Sequence, residues 1–143
     1  MLPARRPDAV WQSPDPHDLP PTETAEQIAA HGRNLAALGL IHLRHDAAPR
    51  AMVLGLAAMA MGDTRPRTVL MVAEALLQAG DPAQAEAALD RFDAPPGDPA
   101  GLSPPPTGAE TAARHYLLAR ILLRQDRPAE ARAALDLALE AAP

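Results

Sequence analysis

The chain has no cysteine, and not one of its 13 basic residues is a lysine. Without cysteine there is no disulfide framework, thiolate metal site or thiol nucleophile. Without lysine there is no Walker-type phosphate site, and no Gly-rich phosphate loop is present. Because all the basic residues are arginine, the composition reads as that of a high-GC bacterial genome. Aromatics are nearly as scarce, with a single Trp, Tyr and Phe. The interior must therefore be built from Ala, Leu, Val and Met. Such small side chains let backbones approach closely, and Ala and Leu are strong helix formers, so the expected fold class is all-α. Serine occurs only as Ser13 and Ser103, both in Pro-rich stretches, which leaves no seryl nucleophile beside a base.

Carboxylates are scattered singly and form no acid/base pair. His42 and His45 stand one turn apart near Asp46, but only His31 and His17 lie near enough in sequence to complete a site, so no metal is assigned. No cofactor is implied, and the chain is read as non-enzymatic. Its net charge of −5 argues against nucleic-acid binding, which needs a dense cationic surface. The longest apolar run, Ala51 to Met61, is about half of the ~20 residues a membrane span requires, so no membrane insertion is expected. The N-terminus lacks an apolar signal-peptide core, and a cytoplasmic location is the expectation.

What the chain does have is internal repetition. Leu76-Leu77-Gln78-Ala79-Gly80-Asp81-Pro82-Ala83 returns, little altered, as Leu122-Leu123-Arg124-Gln125-Asp126-Arg127-Pro128-Ala129, 46 residues later. Residues 1–21, rich in Pro and Asp and without periodicity, read as an extended or disordered segment carrying the lone Trp11. The domain proper spans 22–143. Thr24 and Gln27 have capping-box spacing and open a first helix that runs to about Arg44, with Gly32 as a weak point. Pro49 to Met61, Pro66 to Ala79, Pro82 to about Phe92, Ala109 to Gln125, and Pro128 to Ala142 supply five more. Residues 94–108, dense in Pro and Gly, read as a loop.

A shift of 34 residues lays Gly80 on Asp46, Ala85 on Ala51 and Ala73 on Gly39. That is the tetratricopeptide period. Leu35, Leu38, Gly39 and His42 then fall where that family has its first-helix packing residues, followed by Ala51, Gly55 and Ala58 on the second helix. The second copy gives Val69, Val72, Ala73 and Leu76, then Ala85, Leu89 and Phe92. The third gives His115, Leu118, Ala119 and Leu122, then Ala131, Leu135 and Ala138. The chain thus resembles a tetratricopeptide protein with repeats at about 32–65, 66–99 and 112–143, the third displaced by a twelve-residue insertion. The family's usual aromatic positions carry Leu, Val and His instead. Three compact repeats, and the phrase Val72-Ala73-Glu74-Ala75-Leu76-Leu77, are similar to the small chaperones of bacterial type III secretion.

The resemblance implies a solenoid of three helical hairpins whose first helices line a concave, protein-binding or peptide-binding groove. Projected onto this chain, the groove carries Arg33, Leu40, Leu43 and Arg44. The second copy adds Arg67, Leu70, Glu74, Leu77 and Gln78, and the third adds Tyr116, Arg120, Leu123 and Arg124. Arginines outnumber acids there, which favours a partner with apolar anchors and flanking carboxylates. A second interface is expected on the outer face of the repeat-one second helix, where Met52, Val53, Leu56, Ala57 and Ala60 are all apolar. Their cover is the segment with Trp11, a second copy in a homodimer, or a partner. Met52, Met59, Met61 and Met71 suit an adaptable surface. Repeat three stops at Pro143 without a polar capping helix, which also points to assembly. Two functions follow from this reading: an adaptor or chaperone that masks an amphipathic segment, and a structural subunit that docks through Leu56 and its neighbours.

Overall fold

A computed structural model describes residues 23–93 and 104–143. The segment with Trp11 and most of the Pro-rich loop lie outside these residues. Among the described residues there are six helices and no strand: α1 Ala25–Arg44, α2 Ala48–Ala60, α3 Pro66–Gln78, α4 Pro82–Asp93, α5 Gly108–Arg124 and α6 Pro128–Ala141. They pack in neighbouring pairs, α1 with α2, α3 with α4 and α5 with α6, and α3 also touches α1, α2 and α5.

Local chemistry sets the boundaries. At the start of α1 the Thr24 N–H donates to Gln27 Oε1 at 2.8 Å, and the Gln27 N–H donates back to Thr24 Oγ1 at 3.3 Å. The same reciprocal box joins Thr107 and Glu110, so Gly108 is already helical where the sequence suggested loop. Pro66 and Pro128 open α3 and α6 at the first helical position, where a missing N–H costs nothing. Gly32 does not interrupt α1. It lies buried where a Cβ would stand 3.1 Å from the Ala58 carbonyl of α2.

The turn within each pair has one geometry three times over. Asp46, Gly80 and Asp126 take φ values of 56°, 88° and 59°. Behind them the N–H groups of Ala47, Asp81 and Arg127 donate to the carbonyls of His42, Leu76 and Leu122 at 2.9, 3.0 and 2.9 Å. This is the bond pattern that ends a helix with a left-handed residue and satisfies its last carbonyls. The α2–α3 connection uses it once more, with Gly62 at φ 92° and the Asp63 N–H on the Ala58 carbonyl.

The core centres on α3. Val69, Val72, Ala73 and Ala75 are wholly buried, and Met59, Met71, Leu76, Leu89, Leu117 and Ile121 close around them. At Gly55 a Cβ would meet Val72 Cγ2 at 2.5 Å, so only glycine lets α2 sit this close to α3. Position along the chain decides burial at equivalent sites. Val72 is fully buried, but Leu38, its counterpart 34 residues earlier, is exposed because α1 has described neighbours on fewer sides. Leu135 of α6, expected to pack, is exposed for the same reason. Polar side chains tie the second pair to the third. Arg114 of α5 holds Asp93 at the end of α4, and Gln125 and Arg127 both donate to Glu86 of α4.

Candidate functional site

Helices α1, α3 and α5 lie side by side, with α3 in the middle, and most of the projected groove residues sit on them. Between α1 and α3 there is a cavity of about 210 Å³. Its walls are Ala36, Leu40, Thr68 and Met71, and Arg33, Arg65 and Arg67 line it as well. Arg33, Leu40 and Arg67 were expected on this face. Arg65 was not.

Arg65 comes from the α2–α3 connection, where a buried carboxylate organises the chain. Asp63, 4% exposed, accepts from Arg65 Nε and Nη2, both at 2.7 Å, and from Thr68 Oγ1 at 3.0 Å. Burial pushes the Asp63 carboxyl up. The hydrogen bonds from Arg65 and Thr68, together with the Arg65 charge, outweigh that and hold it below the ordinary carboxylate range. The hydrogen bonds to Asp63 and the Asp63 charge raise Arg65. Two of the three guanidinium nitrogens of Arg65 are thereby committed. Arg33 and Arg67 are exposed and have no acidic partner within 4 Å among the described residues. The available sequence signal was Asp63-x-Arg65-Pro66-x-Thr68: an acid two residues before the arginine and five before the threonine, around a helix-opening proline.

The α3–α5 half is different. Arg120 Nη1 donates to Glu74 Oε2 at 2.6 Å and Nη2 to Oε1 at 2.9 Å, a two-pronged pair. Gln78 Nε2 adds a bond to Glu74 Oε1 at 2.8 Å, and the guanidinium lies 5.8 Å from the centre of the Tyr116 ring. Burial pushes Glu74 up, but its bonds from Arg120 and Gln78 and the Arg120 charge bring it below the ordinary value. Glu74, Gln78, Tyr116 and Arg120 thus form one cluster. Its consequence is a correction: Arg120 is not open to a partner's carboxylate, because Glu74 occupies its fork.

Leu77 is a second correction. It is 3% exposed and belongs to the core, because α3 is covered on both flanks. Leu43 and Leu70 are half-buried against the same core. Leu40, Tyr116 and Leu123 are exposed, Leu123 at 60%, and Arg44 and Arg124 are exposed as well.

On α2, Val53 is 61% exposed, Leu56 and Ala60 are exposed, and Met52 and Ala57 are half-buried, Met52 against the core. Leu56 faces Ala87, Ala88 and Arg91 of α4 across a shallow cavity of about 140 Å³. Met59 and Met71, expected to serve an adaptable surface, fill the core instead, where α1, α2 and α3 converge. No group of three or more His, Cys, Asp or Glu residues among those described could hold a metal ion. No described helix is long and apolar enough to cross a membrane.

Comparison of the chain with models of known families, with curated proteins and with solved structures finds no match.

Proposed function

We propose that this chain is a non-enzymatic, cytoplasmic bacterial adaptor of the tetratricopeptide type, three helical hairpins stacked as a solenoid. It acts as a chaperone, in the manner of the small type III secretion chaperones its repeats resemble, by holding an amphipathic segment of a protein partner on the α1/α3/α5 face. The observation that carries this reading is the company kept by Leu40, Tyr116 and Leu123. These three exposed apolar side chains lie on α1 and α5, the two helices that flank α3, and Leu40 borders a cavity with exposed arginines on its wall. The repeated left-handed turn at Asp46, Gly80 and Asp126 supports the stacked-hairpin reading.

The rival reading, a structural subunit docking through α2, draws on exposed Val53 and Leu56. Leu40→Asp and Leu123→Asp, compared with Leu56→Asp, separate the two in a pull-down of the partner from the native host followed by titration with the purified partner. Because all three side chains are already exposed, the variants keep the fold, checked by circular dichroism. Loss with Leu40→Asp and Leu123→Asp supports the chaperone face. Loss with Leu56→Asp alone sinks it.

A further inference from the structure

The geometry points to the α1–α3 cavity as the anchor pocket of this face, taking an apolar side chain whose neighbour in the partner is a carboxylate, while Arg120 of the α3–α5 half is already engaged by Glu74. This rests on the proposed protein-binding face and adds to it the chemistry and the position of the recognised group.

Size and lining set the apolar part. A cavity of about 210 Å³ walled by Ala36, Leu40 and Met71 is large enough for one Leu-sized or Phe-sized side chain and too small for a whole helix. Charge sets the rest. Arg33 and Arg67, on opposite sides of the cavity in α1 and α3, have no acidic partner among the described residues, and Arg65 keeps only Nη1 uncommitted. The Asp63 carboxylate balances Arg65 and no described residue balances the other two, so this part of an otherwise acidic chain attracts an anion. Two arginines are too few for a nucleic-acid backbone on a chain of net charge −5. They suit one or two carboxylates, which the forked guanidinium binds with direction. At the other end Glu74 and Tyr116 engage Arg120, so an acid placed there meets a neutralised pair. A carboxylate next to the anchored side chain is therefore met by Arg33 and Arg67 over α1 and α3.

The test uses the full chain and a displayed library of random twelve-residue peptides. Selected sequences should carry Leu, Ile, Met or Phe within two residues of Asp or Glu. The best peptide is then synthesised beside its Glu→Gln or Asp→Gln analogue and titrated against the native chain and the Arg33→Gln, Arg67→Gln double variant. Losing either side of a charge-assisted hydrogen bond should weaken binding about tenfold, and losing both should cost no more than losing one. Losses that multiply, or a selection without acids, overturn the inference. Amide shifts that still map to α1, α3 and α5 in that case leave the binding face standing, whereas shifts confined to α2 or α6 overturn both. Other occupants are visible in the same samples. A change in Trp11 emission on mutating the two arginines without peptide means that the chain's own N-terminal segment fills the pocket. Self-association that the double variant abolishes means that a second copy does. Either result overturns the inference.

Discussion

Replacing Asp63 by Asn tests how the α1–α3 cavity is built. The substitution keeps the shape of the side chain and removes its charge, and it sets an amide N–H₂ against donors it cannot satisfy. In the native chain the carboxylate accepts two bonds at 2.7 Å from Arg65 and one at 3.0 Å from Thr68, in a site where Asp63 is 4% exposed. Breaking a fully buried ion pair costs about 3–5 kcal/mol, chiefly by stranding the remaining charge. The Arg65 side chain is 18% exposed and can turn part of its guanidinium to water, which lowers the expected loss to about 2–4 kcal/mol. Urea unfolding at neutral pH measures it.

The pH dependence supplies the sharper arm. The folded-state pKa of Asp63 lies below its unfolded value, so the pair's stabilisation is complete above about pH 4 and is lost as pH falls through the folded value. Glu74 also sits low, so both proteins weaken in acid, but only the difference between them reports Asp63. The gap between the native and Asn chains should therefore stay constant from neutral pH down to about 4 and shrink below that. A loss under about 1 kcal/mol, or a gap that does not close in acid, would refute the claim that this carboxylate is charged and holds Arg65 in place.

Asp46 and Asp126 sit exposed at φ 56° and 59°, so Asp→Gly at either should stabilise by about 0.5–1 kcal/mol, raising the melting temperature by about 2–5 °C. Asp→Ala at the same sites serves as the control that removes the charge without relieving the positive φ, and equal gains for Ala and Gly would deny the backbone explanation. Gly55→Ala should destabilise by about 1–2 kcal/mol in denaturant melts, since overpacking against Val72 Cγ2 at 2.5 Å exceeds the gain in helix propensity. Pairing it with Val72→Ala should make the two losses less than additive, and strict additivity would place the clash elsewhere. Thr68→Val should cost about 1 kcal/mol by removing one donor from Asp63, and this too should vanish in acid.

The helices were legible because punctuation marks them: Thr24-x-x-Gln27, Pro66, Gly80-Asp81-Pro82 and Asp126-Arg127-Pro128 each state a boundary in the side chain that makes it. Burial was less legible, because it depends on neighbours the repeat pattern treats alike. Leu43, Leu77 and Leu123 share one register position, yet the first is half-buried, the second 3% exposed and the third 60% exposed. Of the three helices that carry them, only α3 touches both of the others among the described residues. Projection by register therefore assigned Leu77 to a surface it does not reach. Arg65 escaped for the opposite reason. It belongs to a connection outside the helical register, and the partner that aims it, Asp63, is visible only once the turn at Gly62 is formed.

The electrical character of the α1/α3/α5 face follows two register positions. Leu40, Glu74 and Arg120 are spaced by 34 and 46 residues, so successive copies carry an apolar side chain, an acid and a base at the same place on adjacent helices. Neighbouring copies of one position face each other across adjacent helices, which is why Glu74 and Arg120 meet in a two-pronged pair. Leu40 has no charge to offer its neighbour, so the α1–α3 junction is left apolar beside Arg33 and Arg67. Those two arginines are themselves copies of one position, 34 residues apart, and the third copy, Ala113, ends the series. Like charges repeated at one position cannot neutralise each other, whereas opposite charges at another can. Repeated sequence can therefore pair the charges at one register position and leave those at another unpaired, without altering the turns or the core that fix its helices.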